Sequence, residues 1–127
     1  MQEKKLFEYA VIRIMPRVER GEFINVGVIV YCASQKYLQL KYEVQGNKII
    51  SLCSDCDLGE IKLYLDLFQR ICQGDKTAGP IAGLPPAERF RWLTSTRSTV
   101  VQTSQVHPGL CKEPEEMLID LFKKLVS

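Results

Sequence analysis

The chain has one histidine, one tryptophan and almost no net charge. Each scarcity excludes something. A single histidine rules out a two-histidine metal site and weakens any acid–base scheme that needs a second one. A formal net charge of +2 over 127 residues supplies no overall field to draw in nucleic acid or an acidic surface, so such a partner would need local clustering. Nucleic acid is therefore only a weak possibility. The longest apolar run, Val26–Ala33, is far short of the roughly 20 residues that span a bilayer. The charged start, Met1–Lys5, is followed by an apolar run that contains Glu8 and stops at Arg13, which does not make a signal-peptide core. We expect a cytoplasmic protein with no membrane partner. Five cysteines, an odd number at irregular spacing, fit reduced thiols better than a disulfide framework. There is no glycine-rich phosphate loop, no H-E-x-x-H and no paired-carboxylate motif, and so no cofactor is expected. Internal repeats and low-complexity segments are absent as well.

What is present reads as one domain over residues 1–127, of a size that buries roughly two-thirds of its unfolded surface. Tyr9–Met15 and Ile24–Ala33 are apolar runs flanking a charged connector, Pro16–Glu22. Both faces of residues 6–15 are mostly apolar, which suits an inner strand covered on both sides. Arg13 is the exception and must sit at the sheet end or have a partner. Gly27 inside the second run marks a bulge or a close approach by another backbone or ligand. Residues 37–44 alternate cleanly, with Leu38, Leu40, Tyr42 and Val44 inward, closing an antiparallel three-strand meander.

Asp57 with Glu60 three residues on resembles a capping box, and Leu58, Ile61, Leu65, Phe68 and Cys72 share one helical face, so residues 58–73 are a helix ended by Gly74. Ile49–Cys53 is too short to classify. Five of the six prolines lie beyond Gly79. Pro86 opens a short helix through Leu93. Thr99–Ser104 is a candidate fourth strand, His107-Pro108-Gly109 reads as a turn, and the tail from Pro114 is a helix with Leu118, Leu121, Phe122 and Leu125 as its stripe. The expected fold class is α+β, a mainly antiparallel sheet of about four strands in the order β-β-β-α-α-β-α, with helices packed on one face.

Six of the seven arginines lie in two stretches, Arg13, Arg17, Arg20 and Arg89, Arg91, Arg97. Arginine recognises carboxylate and phosphate through its planar, bidentate fork. Glu19, Glu22 and Glu88 are interspersed, so the bland account is a set of internal ion pairs, and the sharper one is an anion site. Arg97-Ser98-Thr99 can ligand phosphate or equally serve as turn and cap. Trp92 can stack on a ring, though a lone tryptophan is more often a core anchor. His107 as a base would need a nucleophile, and Ser98, Ser104 and Cys111 have no nucleophile-elbow motif around them. Cys53-Ser-Asp-Cys56 with His107 and Cys111 would make a four-ligand zinc set, but the second spacing fits poorly, and we expect neither metal nor structural disulfide there.

Tyr9-Ala-Val-Ile-Arg13, Pro16-Arg-Val-Glu-Arg20, Glu22-Phe-Ile-Asn-Val-Gly-Val28, Ala78-Gly-Pro-Ile81, Glu88-Arg-Phe-Arg-Trp-Leu93 and Arg97-Ser-Thr-Val-Val-Gln102, followed by Val106-His107 and Gly109-Leu110, resemble the bacterial domain-of-unknown-function family 3037 over nearly the whole chain. The family pattern has a histidine where this chain has Arg91 and a proline where it has Gln105. The resemblance implies no established activity, no cysteine pair at 53 and 56, and a HipA-like kinase as partner.

The reading is a bacterial accessory domain, more a binder than an enzyme, with no catalytic residue assigned. It would take an anionic small molecule, phosphate or a partner protein on the surface of Pro16–Asn25 and Glu88–His107. Arg17, Arg20 and Arg97 would hold the anion; Asn25, Ser98, Thr99, Gln102 and His107 would add neutral hydrogen bonds. The alternative is a small enzyme acting on a phosphate ester or nucleic acid with His107 as base.

Overall fold

A computed structural model describes residues 3–95 and 99–126, the side chain of Val18 excepted. The strands are β1 (Lys5–Ile14), β2 (Ile24–Cys32), β3 (Tyr37–Tyr42), β4 (Val101–Thr103) and β5 (His107–Cys111). The helices are α1 (Gly46–Leu52), α2 (Leu58–Cys72), α3 (Pro86–Leu93) and α4 (Pro114–Leu125). The class is α+β, and all strand pairs are antiparallel. The first three strands form the expected meander, and β1 is the inner strand, with β2 on one side and both β4 and β5 on the other.

β4 and β5 follow one another along the same edge of β1. β5 pairs Lys5–Tyr9 and β4 pairs Ile12–Ile14. Ser104 bridges the gap between them. Its backbone N–H donates to the Val11 carbonyl at 2.8 Å, and its hydroxyl accepts from the Val11 N–H at 2.9 Å. The same hydroxyl donates to the Gln105 carbonyl at 2.9 Å. A buried serine thus keeps the ladder satisfied where the chain changes course.

Two expectations need correcting, and a segment left unclassified takes a definite form. The sheet has five strands, because His107–Cys111 is a strand rather than a turn. Pro108 hides this in the sequence, yet a proline costs little on a strand paired along one side only. Gly46–Leu52 is a short helix, too brief to show a periodic stripe, with Ile49 as its one buried residue. Finally, the helices cover two faces, not one. Ala10, Ile12, Ile14, Ile29, Leu38 and Leu40 pack with α2, α3 and Ile49, whereas Phe7, Val28, Val30 and Cys32 pack with Leu118 of α4. The cause is already in β1 and β2. Both are apolar on alternate residues of both faces, and a single helical layer would have left Phe7, Val28 and Val30 in water.

The helix signals perform as the sequence suggests. Asp57 caps α2 by accepting from the Glu60 N–H at 3.1 Å, and Gly74 ends it with φ +76°. Arg89 of α3 then reaches back, donating to the Leu84 carbonyl at 2.6 Å and the Cys72 carbonyl at 3.5 Å, so this arginine belongs to the scaffold.

Candidate functional site

The register of the sheet decides which polar groups meet. Along β1 and β2 the pairing runs Ile12↔Gly27 and then Arg13↔Asn25, so Val26 is the extra residue of a β-bulge. Gly27 is required there. A Cβ on it would stand 2.7 Å from the Lys41 carbonyl oxygen and 2.9 Å from the Cβ of Tyr42. The bulge sets Asn25 directly opposite Arg13, and on the other side of β1 the partner of Arg13 is Gln102. The three form one row across the sheet, at the end of β1. Directly opposite residues share a face, and for this row it is the face that α4 covers.

Within the row Arg13 Nε donates to Asn25 Oδ1 at 3.3 Å, and Asn25 Nδ2 donates to the Leu125 carbonyl near the end of α4 at 3.1 Å. The guanidinium carbon lies 4.2 Å from the ring centroid of Phe23, a cation–π contact that also fixes the plane of the fork. Gln102 Nε2 donates to the Thr99 carbonyl at 2.8 Å. Arg13 is half-buried, and among the described residues no carboxylate forms an ion pair with it.

The connector is arranged differently. Arg17 faces Asp55 at 3.8 Å, and Arg20 Nε holds Glu22 at 2.7 Å. Both pairs are exposed. Pro16, Arg17, Arg20, Glu22 and Leu52 enclose only about 10 Å³, the volume of a single water probe and too little for an organic anion. Cys53 Sγ donates to Asp55 Oδ1 at 2.9 Å. That bond, the loop's own N–H and the Arg17 guanidinium hold the Asp55 carboxyl below its ordinary range. Burial and the neighbouring Cys53 push the Cys56 thiol up to about 11, which makes it a poor thiolate.

The other candidate residues are scattered. Thr99 Oγ1 donates to the Val101 carbonyl at 2.9 Å and borders an apolar cleft of about 170 Å³ lined by Tyr64, Leu67, Phe68, Trp92 and Val101. Trp92 packs on Phe68 with centroids 6.4 Å apart, as a core anchor does. His107 is exposed at the start of β5, opposite Tyr9, with ring centroids 5.3 Å apart. Its face is that of Arg13, but four residues of β1 separate the two rows, about 13 Å. Ser104, considered as its nucleophile, has its hydroxyl committed to backbone on both sides. Arg97 and Ser98 lie outside the described residues. A wider open groove of about 570 Å³, beside Tyr42, Val44, Lys62 and Leu63, contains none of the candidate residues.

Of the expected set, then, Asn25 and Gln102 come together, and they do so around Arg13, which was not among the site residues. The signal for it was present: an arginine in an otherwise apolar strand needs either a partner or a purpose. Arg17 and Arg20 stand apart from this row, each with its own acid.

No curated protein and no solved structure matches the chain. A family profile described as "Protein of unknown function (DUF3037)" matches residues 9–126.

Proposed function

The chain belongs to the DUF3037 family, whose description assigns no activity, and from the surroundings of Arg13 we propose that it is a non-enzymatic domain that docks an anionic group carried by a partner. One observation carries this reading. Arg13 presents a half-buried guanidinium, oriented by Phe23 and Asn25, that no acid among the described residues neutralises. A partly desolvated, oriented cation binds an anion more strongly than a mobile surface cation does, because less solvent screening and less side-chain ordering oppose the bond. Catalysis by His107 has no such support, since Ser104 is locked into the ladder and Cys111 lies buried at the far end of β5.

The test is an NMR titration of the 15N-labelled chain with sodium acetate and with sodium phosphate at constant ionic strength. Saturable shifts are expected at Arg13 Nε and at the amides of residues 12–14 and 101–103. Shifts confined to the Arg17 and Arg20 side chains, or none at all, refute the proposal. The resemblance implies a HipA-like kinase as the molecule that carries the group. Co-elution of the two purified proteins, lost on Arg13→Glu, would support that partner.

A further inference from the structure

The two edges of the sheet are finished differently. On β3 the Leu40 carbonyl points away from β2, and Gln69 of α2 donates to it at 3.2 Å. The outer edge of β5 has no such guard among the described residues. Backbone groups along β1 alternate in direction. Val11 turns its N–H and carbonyl to Ser104, whereas the Leu6 carbonyl accepts from Cys32 Sγ at 3.4 Å on the β2 side. Lys5, Phe7 and Tyr9 therefore bond to Cys111, Gly109 and His107. Pro108 and Leu110 are left facing outward, and no strand among the described residues pairs with them. A defended edge carries charge, but this one carries leucine. Leu110 is 60% exposed and lies directly opposite Leu6, itself 62% exposed.

We propose that β5 pairs antiparallel with β5 of a second copy of this chain, about a two-fold axis at Leu110, to make one continuous sheet. The hydrogen bonds select both the occupant and the register. Leu110 meets the partner's Leu110 and exchanges both N–H···O bonds with it. Pro108 meets the partner's Lys112, whose N–H donates to the Pro108 carbonyl. The N–H that Pro108 lacks is not missed, because the Lys112 carbonyl already accepts from Lys5 Nζ at 2.9 Å. Centred on Gly109 instead, the pairing would set Pro108 against Leu110 and leave each Leu110 carbonyl without a donor. The Leu110 register also lines up Leu6 and Leu110 of both copies in one row on one face. It brings His107 opposite the partner's Glu113, an imidazole against a carboxylate, and the Glu113 backbone is extended (φ −131°, ψ 116°). A contact made by one five-residue strand is small, so the association is weak and depends on concentration.

Sedimentation velocity of the whole 15N-labelled chain over a concentration series, with NMR spectra of the same samples, tests this. The sedimentation coefficient should rise with concentration toward that of a dimer. The Leu110 and Lys112 amides should shift with concentration, and those of Gly109 and Cys111, bonded to β1 within the chain, should move less. Leu110→Lys sets like charges directly opposite each other across the axis and should weaken association about tenfold or more. Leu63→Lys, at a leucine of α2 that is 72% exposed, should leave it unchanged. The variants' amide spectra report whether the fold is kept, and the parent's amide shifts decide the matter if a variant fails to fold. A parent that stays monomeric at every concentration overturns the proposal and leaves the edge to a strand from another protein. Association that Leu110→Lys does not weaken, that Leu63→Lys weakens equally, or that leaves the Leu110 amide unmoved overturns it as well.

Discussion

Arg13 and Arg17 lie one short stretch of chain apart, on either side of Pro16, and carry the same guanidinium. One sits on the sheet and the other on the connector. The connector arginines find acids within reach, Asp55 at 3.8 Å and Glu22 at 2.7 Å, on open surface where such pairs contribute little. The sheet arginine finds one amide and an aromatic ring, with Gln102 opposite it in the ladder, and no acid among the described residues. The difference teaches that a count of arginines in a stretch does not locate an anion site. What matters is whether a guanidinium is oriented, partly desolvated and left without an internal counter-charge, and the backbone that carries it largely decides that. A strand holds its side chains in fixed rows, whereas a connector leaves them free to find any acid nearby.

The comparison can be broken most severely at Gly27. Gly27→Ala forces a Cβ against the Lys41 backbone, disturbs the bulge and misplaces Asn25, and should cost about 3 kcal/mol in stability, read from chemical denaturation. Gly83→Ala, where a Cβ meets open space, serves as the control and should leave stability near that of the parent. Next in size is Ser104→Ala. It removes the acceptor of the buried Val11 N–H and should cost about 2 kcal/mol by the same measurement, although Ser104 touches no proposed ligand.

Arg13→Ala sharpens the contrast by separating binding from stability. It should reduce affinity for acetate by about 1.5–3 kcal/mol, tenfold or more, while stability falls by only about 1 kcal/mol as the ring contact is lost. Arg17→Ala and Arg20→Ala should leave that affinity within about twofold of the parent, since their surface charge is already matched by nearby acids. An equal loss at all three positions would mean that the connector and the sheet act as one surface. The smallest effect concerns pH. The Asp55 carboxyl is depressed in the folded state, so whatever stability it contributes is present above its unfolded pKa of about 3.9 and is lost as pH falls through the lower folded value. An NMR titration of the Asp55 side chain should therefore show it still ionised at pH 4, with the Arg17 contact intact.

Much of this fold was legible beforehand. The stripe from Leu58 to Cys72 with its Asp57 cap, the Pro86 start and the Pro114 helix all stand where the sequence puts them. These signals concern residues within a turn or two of one another. The two-sided burial of β1 is legible too, and helices on both faces are its consequence. β5 is hidden in the sequence because Pro108-Gly109 imitates a turn. The proposed site was legible only in pieces. Asn25 and Gln102 were marked as hydrogen-bonding residues and Arg13 as an anomaly, but nothing local joins them.

By itself, then, the amino-acid order determined the elements, the antiparallel meander, the α+β class and the need to explain an arginine inside an apolar strand. Only the tertiary structure decided which arginines are neutralised. Element formation follows from periodic contacts between near neighbours, and a sequence displays these directly. Charge pairing depends on which groups from distant stretches come within about 4 Å. Here a single bulged residue, Val26, sets the register that places Asn25 beside Arg13, while the α1–α2 connection brings Asp55 to Arg17.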